Sequence, residues 1–412
     1  MRILIVGINY APEPIGIGPY TAGTARALRE AGHEVEVLTG KAYYPDWKID
    51  PAFARPIYHR SVEDGVRITR CPLYVPSRDG GLKRIAHHAS FAAAALPEAV
   101  RIARRFRPEL VLAIAPSLVS FPVARVAARI AGARLWLHIQ DFEVEAAFAT
   151  GLMDSRSLLA RTAAGFEARQ LAAADRITSI SPQMCARLAA KGVPEDRIAQ
   201  FRNWAEIEHI RPLEAPSPYR QEWNIAEPFV AFYSGNIAKK QGIGIIVEAA
   251  RLLRHRRDLV FVICGEGPNR AELEREAASL GNIRLFDLQP RERLGELLGL
   301  ATLHLLPQLA DAADLVLPSK LANMMASGRP VVATAAPGTG IANEIADCGV
   351  STPPGEAAAF AAAIEALLDD AERRERLGFA ARQAAERRWS RAELLEQFCA
   401  MVEYSPDFAR NR

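Results

Sequence analysis

Short runs of β-branched and leucine residues recur along the chain, separated by longer stretches rich in Ala, Arg and Glu. Such alternation predicts strands and helices in turn, the pattern of parallel sheets covered by helices on both faces. In the first half the strand-like runs are Ile3–Val6, Glu34–Leu38, Val66–Arg70, Leu110–Ile114, Arg134–Ile139 and Arg176–Ser179. A second series begins afresh with Phe229–Ser234, Val260–Cys264, Ile283–Phe286, Leu303–Leu306 and Pro330–Thr334. Helical periodicity fills the gaps of that series over 248–255, 270–280 and 291–301. Two α/β domains in tandem follow.

The pattern lapses over Arg202–Pro228, which holds Pro212, Pro216, Pro218 and Pro228 and few periodic apolar residues. A linker near 203–220 is therefore expected. The domains implied are 1–205 and 206–390, with a closing helical segment at 391–412. Trp389, Leu394, Leu395, Phe398 and Val402 read as one apolar stripe at helical spacing, which has to dock on another surface.

Composition narrows the class. A chain of 412 residues exceeds what a single core usually supports. Lys plus Arg total 51 against 48 for Asp plus Glu, so no strongly basic balance points to nucleic acid. The five cysteines are scattered without metal-ligand spacing, which favours a reducing cytoplasm and no structural zinc. The N-terminus MRILIVGINYAPEP reads as a buried first strand, not a signal peptide. Leu110–Ala124 is interrupted by Pro116 and Pro122 and is too short to cross a bilayer. Arg101, Arg104 and Arg105 repeat at helical spacing behind Lys83, Arg84, His87 and His88; the cluster suits either an anionic membrane surface or a solvated helix face.

Candidate chemistry gathers where strands end. After the first strand, a loop from Ile8 to Pro19 contains Gly16 and Gly18, whose backbone N–H groups can approach a phosphate or a sugar. The dinucleotide fingerprint fails, because Thr21 stands where its third glycine would be and the second strand ends in Thr39-Gly40 without an acidic residue. His138, Asp141 and Glu143 follow the strand at 134–139 and suit sugar hydroxyls or proton transfer, with helix capping by Asp141 as the plain alternative. In the second series, Gly235 and Asn236 precede Lys239 and Lys240 in a turn suited to a diphosphate. Gly265 and Gly267 occupy the next turn, where small residues admit a base or ribose, and Ser319 and Lys320 open a further helix.

Taken together, the segments GINYAPEPIGIGPYTAG, HIQDFEVEAAFATGL, FRNW at 201–204, YSGNIAKKQGI and DLVLPSKLANMMASGRPVVAT resemble the retaining GT-B glycosyltransferases of family 4. Within it they are most similar to the WcaI-like subgroup of colanic acid and related exopolysaccharide transferases. The resemblance implies two facing Rossmann-like domains, the first for the acceptor and the second for the nucleotide-sugar donor, with the last helix crossing back to the first. It implies that Gly18 approaches the donor phosphates, that His138 contacts the transferred sugar, and that Lys240 and Lys320 neutralise the diphosphate leaving group. GDP-fucose or another hexose donor, a lipid-linked saccharide acceptor and retention of configuration are further implications; the sequence has no Asp-rich DxD metal motif, so chemistry without a metal or cofactor is expected. The chain would then work in the cytoplasm at the inner face of the membrane.

One departure stands out: the family's two glutamates spaced EX7E align with Leu315 and Asn323. An amide at Asn323 still reaches a ribose hydroxyl, though less strongly than a carboxylate. A nucleotide-sugar epimerase of the same fold and a catalytically silent partner subunit stay open as alternatives.

Overall fold

The computed structural model describes residues 1–14, 16–76, 81–142, 158–205, 207–238, 241–309 and 319–404. The chain divides into two compact units, Met1–Arg202 with Leu395–Arg412, and Asn203–Leu394.

The first unit is built on an eight-stranded sheet in the order β3-β4-β2-β1-β5-β6-β7-β8. Its strands are β1 (Arg2–Gly7), β2 (Glu34–Gly40), β3 (His59–Glu63), β4 (Val66–Cys71), β5 (Leu110–Ala115), β6 (Arg134–Ile139), β7 (Arg176–Ser179) and β8 (Ile198–Gln200). All neighbours are parallel except β3, which runs antiparallel to β4. Ile3, Leu4, Ile5 and Val6 are fully or almost fully buried at the sheet centre, which explains the unbroken apolar run. β2 and β5 flank β1 on opposite sides, so the chain order reverses at β1, the position where open α/β sheets generally bind ligands.

The second unit carries a six-stranded sheet in the order β11-β10-β9-β12-β13-β14, all parallel. The strands are β9 (Phe229–Ser234), β10 (Leu259–Cys264), β11 (Ile283–Phe286), β12 (Leu303–Leu306), β13 (Val331–Thr334) and β14 (Gly349–Thr352). Here β9 occupies the reversal point, and its carboxyl end delivers Gly235.

Three readings of the sequence need correction. The proline-rich stretch is not a free linker: Ile207 and Ile210 are buried in the second unit's core, and Leu213 lies against Gly299. Arg382 caps this stretch, donating to the carbonyls of Ile210 at 2.6 Å and Ile207 at 3.2 Å. Nor is the C-terminal stripe continuous. Trp389 ends the Ala371–Trp389 helix and sits in the second unit's core, whereas Phe398, on the Arg391–Glu403 helix, stacks on Phe201 at 4.3 Å and meets Trp136 at 5.4 Å. Ser390 is extended (ψ 122°), and that residue separates the two helices. Finally, the helix expected from 248 begins at Gly244, because Ile246 and Val247 belong to its buried face.

Among the described residues, no helix is long and apolar enough to cross a membrane. The basic helix Gly81–Phe106 is partly neutralised. Arg101 pairs with Glu98 and Arg105 with Glu36, each at 2.6 Å.

Candidate functional site

Among the described residues, the groups singled out in the sequence lie at or just after the carboxyl ends of β1, β6, β9 and β10, with Lys320 and Asn323 on the Ser319–Ala326 helix. In the first unit, the loop after β1 turns back tightly before the Gly18–Glu30 helix. A side chain at Gly18 would begin 3.0 Å from both the Glu13 Cβ and the Tyr10 carbonyl, so glycine alone fits without pushing them back. Gly16 has φ +74° and lies against the Tyr44 ring. The helix has no side-chain cap at Ile17, which leaves its first N–H groups to other partners.

His138 and Thr178 are registered neighbours on β6 and β7. Their side chains meet at 3.0 Å through Nδ1 and Oγ1, and Trp136 Nε1 donates to the same hydroxyl at 3.0 Å. The hydroxyl, with two lone pairs and one proton, can accept from Nδ1 as well as from Trp136 or donate to it. The His138 Nε2 is buried without a partner among the described residues. Burial pushes the imidazole down to about 3, so it stays neutral. A neutral imidazole suits hydrogen bonding to a hydroxyl. Asp141 follows two residues after β6 and is half-buried; Glu143 lies outside the described residues.

In the second unit the turns after β9 and β10 are packed back to back. A Cβ on Gly265 would run into the Gly235 carbonyl oxygen, and one on Gly267 into the Ile237 carbonyl. Gly235 N donates to Cys264 O at 3.0 Å and Ile237 N to Glu266 O at 2.8 Å, which ties the turns together. Arg270, which the sequence reading passed over, donates to the carbonyls of Gly265 (2.5 Å) and Phe286 (3.1 Å) and so binds a third strand end to them. A lone arginine just after a glycine turn was the only signal available. Asn236 forms part of the same turn, its carbonyl accepting from Tyr233 Oη at 2.8 Å.

Lys320, second residue of the Ser319–Ala326 helix, brings its ammonium into this turn. Its Nζ lies 4.0 Å from the Tyr233 ring centroid and 3.5 Å from the point where a Gly235 side chain would begin. Among the described residues it has no ion pair. Burial without a counter-charge lowers the ammonium to about 7. The ring contributes about 1 to 2 kcal/mol to a desolvated cation, less than an anion would. Tyr233 was also missed, since an aromatic in a strand reads as core.

Asn323 sits one turn further along, its Oδ1 buried without a partner among the described residues. Lys239, Lys240 and Leu315 lie outside the described residues, as does the Ser319 side chain. A groove of about 400 Å³ opens beside the Gly244–Leu252 helix, but Glu248, Glu272 and Glu276 line it. Three carboxylates repel a diphosphate, so Lys320 and not this groove is the anion-seeking part of the unit.

Comparison with known proteins identifies the family and the fold. Residues 16–204 match the glycosyl transferase 4-like domain and residues 217–384 the glycosyl transferases group 1 family. The colanic acid biosynthesis glycosyl transferase WcaI of Escherichia coli (strain K12) is 38% identical over 342 residues, 81% of this chain and 83% of that protein. The sucrose-phosphate synthase of Thermosynechococcus elongatus superposes with a TM-score of 0.72 at 19% identity, over 99% of each chain. HepE of Anabaena in complex with UDP-glucose gives 0.67 at 18% identity, covering 98% of this chain and 99% of that one; both establish the GT-B fold. With both domain families in sequence and a transferase relative spanning four-fifths of it, the chain belongs to the family 4-like, group 1 glycosyltransferases of GT-B fold and is a glycosyltransferase.

Proposed function

We propose that the chain transfers a hexose from a nucleotide-diphosphate sugar to a lipid-linked saccharide in exopolysaccharide assembly, with retention and without a metal. The observation that carries this reading is Lys320: a cation left without a counter-ion among the described residues, at the reversal point of the second sheet. Negative charge grows on the diphosphate as the glycosidic bond breaks, and a preorganised cation beside it stabilises that change. Lys240 is proposed as the second cation, with Gly235, Asn236, Gly265, Gly267, Ser319 and Asn323 around the donor. The relationship to WcaI supports the exopolysaccharide setting, and a GDP-sugar such as GDP-fucose is the first donor to try. His138 is proposed to meet the transferred sugar, with Asp141 and Glu143 beside the acceptor.

The decisive experiment incubates the protein with a panel of nucleotide sugars and follows nucleotide release with and without a lipid-linked saccharide, in EDTA. Release that needs the acceptor and survives EDTA is expected. Interconversion of the sugar nucleotide without transfer would favour an epimerase, and no reaction with any donor a silent subunit. Lys83, Arg84 and Arg104 remain as exposed cations for an anionic membrane, and co-flotation with anionic but not neutral vesicles is the expected outcome.

Two sets of variants probe the site. Lys240→Ala should lower turnover about a hundredfold or more, whereas Lys239→Ala should be tolerated. Equal damage from both would shift the register of this turn. His138→Ala should reduce kcat more than it weakens nucleoside diphosphate binding, because a sugar contact acts on the reacting centre. His138→Asn keeps a side chain that reaches Thr178 and separates this effect from a packing loss. A Kd for the diphosphate that worsens as much as kcat falls would remove His138 from the sugar.

A further inference from the structure

His138 is held from behind by a residue from the far end of the chain. It lies on β6 two places after Trp136, so the two side chains share one face of the sheet, and in-register pairing sets Thr178 of β7 on that face beside it. Thr178 Oγ1 meets both His138 Nδ1 and Trp136 Nε1 at 3.0 Å. A hydrogen bond through one ring nitrogen fixes a distance but leaves the imidazole free to tilt about it.

An aromatic contact removes that freedom. The Phe201 ring lies 5.3 Å from the imidazole at 54°, and the Phe201 backbone is fixed by donating to Ser179 O at 2.8 Å. Phe398, on the Arg391–Glu403 helix, stacks on Phe201 at 4.3 Å and 26° and meets Trp136 at 5.4 Å. It therefore bears on both groups that control His138: Phe201, which touches the ring, and Trp136, which orients the Thr178 hydroxyl. All five side chains are 5% exposed or less, so solvent does not loosen these contacts. Phe201 and Phe398 come from the two separate stretches of chain that make up the first unit, Met1–Arg202 and Leu395–Arg412, and their stack joins them. A ring has only two χ angles and a flat face, so it passes on a position with less slack than an aliphatic side chain does.

We propose that Phe398 is a positioning residue for His138: through Phe201 and Trp136 it holds the imidazole in an orientation that leaves Nε2 available to a substrate hydroxyl. That nitrogen has no partner among the described residues, and it donates or accepts according to the tautomer. The proposal rests on the sugar contact proposed for His138 and deepens it, extending the supports of that contact to the last helix.

NMR of the imidazole signals in histidine-labelled full-length protein tests this and needs no donor. His138→Ala identifies the His138 signal among the eight histidines. Thr178→Val removes the bonded hydroxyl and shows how far the signal moves when that anchor is lost. Phe398→Leu and Phe398→Met keep apolar bulk but not the ring, and each should shift the same signal. Phe106→Leu alters another buried phenylalanine of the first unit, at the opposite end where the Gly81–Phe106 helix precedes β5, and should leave both signal and rate in place. Turnover, measured with whichever of UDP-glucose and GDP-fucose releases nucleotide faster, should fall about tenfold or more in Phe398→Leu while the Kd for UDP or GDP is unchanged. In the His138→Ala background Phe398→Leu should cost nothing further, because a residue that acts through another has no effect once that one is gone. A His138 signal that stays put in both Phe398 variants, or rate losses that multiply in the double variant, would overturn the positioning role. A signal that moves while His138→Ala turns over at the wild-type rate would instead strike the sugar contact of His138 and leave the positioning of its ring in place.

Discussion

Alanine at Lys320 is expected to lower turnover by about a hundred- to a thousandfold, the usual loss when one preorganised charge-stabilising donor is removed. The ammonium is held over the Tyr233 ring and beside Gly235, so it is already in place before a donor arrives. An arginine should restore only part of the rate, since the planar guanidinium does not fit the same ring-and-glycine niche. The same residue predicts a pH dependence. In the free protein the ammonium loses its proton near pH 7 because burial disfavours the charge. A diphosphate binds the protonated form and raises its pKa, so affinity for UDP or GDP should be full below about pH 7 and fall above it. The slope approaches about tenfold per pH unit until the pKa of the bound state is reached. Calorimetric titration from about pH 7 to 9 checks this, and Lys320→Arg should be flat over that range because arginine does not titrate there. A flat wild-type profile would take Lys320 out of the diphosphate contact.

Gly265→Ala is expected to be the most disruptive single methyl in the second unit. Its Cβ would overlap the Gly235 carbonyl oxygen and lie 3.0 Å from the carbonyl carbon. Neither partner can retreat freely. Gly265 N donates to Phe286 O and Gly235 N to Cys264 O, each at 3.0 Å, while Arg270 grips the Gly265 carbonyl. Overpacking against such a fixed backbone costs about 3 kcal/mol, and urea unfolding should register it as a lower midpoint with an unchanged slope. Nucleoside diphosphate binding should fall with it, since the two turns that would frame the donor separate. Gly281→Ala serves as the comparison: nothing lies within 4 Å of its Cβ, so a change within about 0.5 kcal/mol is expected. If the two glycines proved equally tolerant, the turns would not be packed as described.

Strands with continuous apolar runs were legible because both of their faces are buried: β1, β5 and β10 each announce themselves. Strand β3 was not, because its residues are exposed or half-buried along its length, with no alternation for a reader to find. The short strands β8 and β14 are likewise only partly buried and take their place from a neighbouring strand. The proline-rich stretch after Arg202 misled for a related reason. Its isolated apolar residues, Ile207 and Ile210, lack period but still fill the core of the second unit.

The same division runs through the site. Local spacing and turn chemistry by themselves determined the two α/β halves, the glycine turns at the ends of β1, β9 and β10, and the residues Gly18, His138, Gly235, Gly265 and Lys320 as candidates. Only the tertiary structure decided what each one does to its surroundings. It buried His138 and made it neutral, set Lys320 over Tyr233 without a counter-ion among the described residues, and folded Glu13 under Gly18. Those properties depend on desolvation and on partners dozens of residues away, such as Thr178 for His138 and Tyr43 for Glu13. A sequence window carries the period of an element and the residues of its turns; charge state and hydrogen-bonding capacity arise only once distant strands have closed around the side chain.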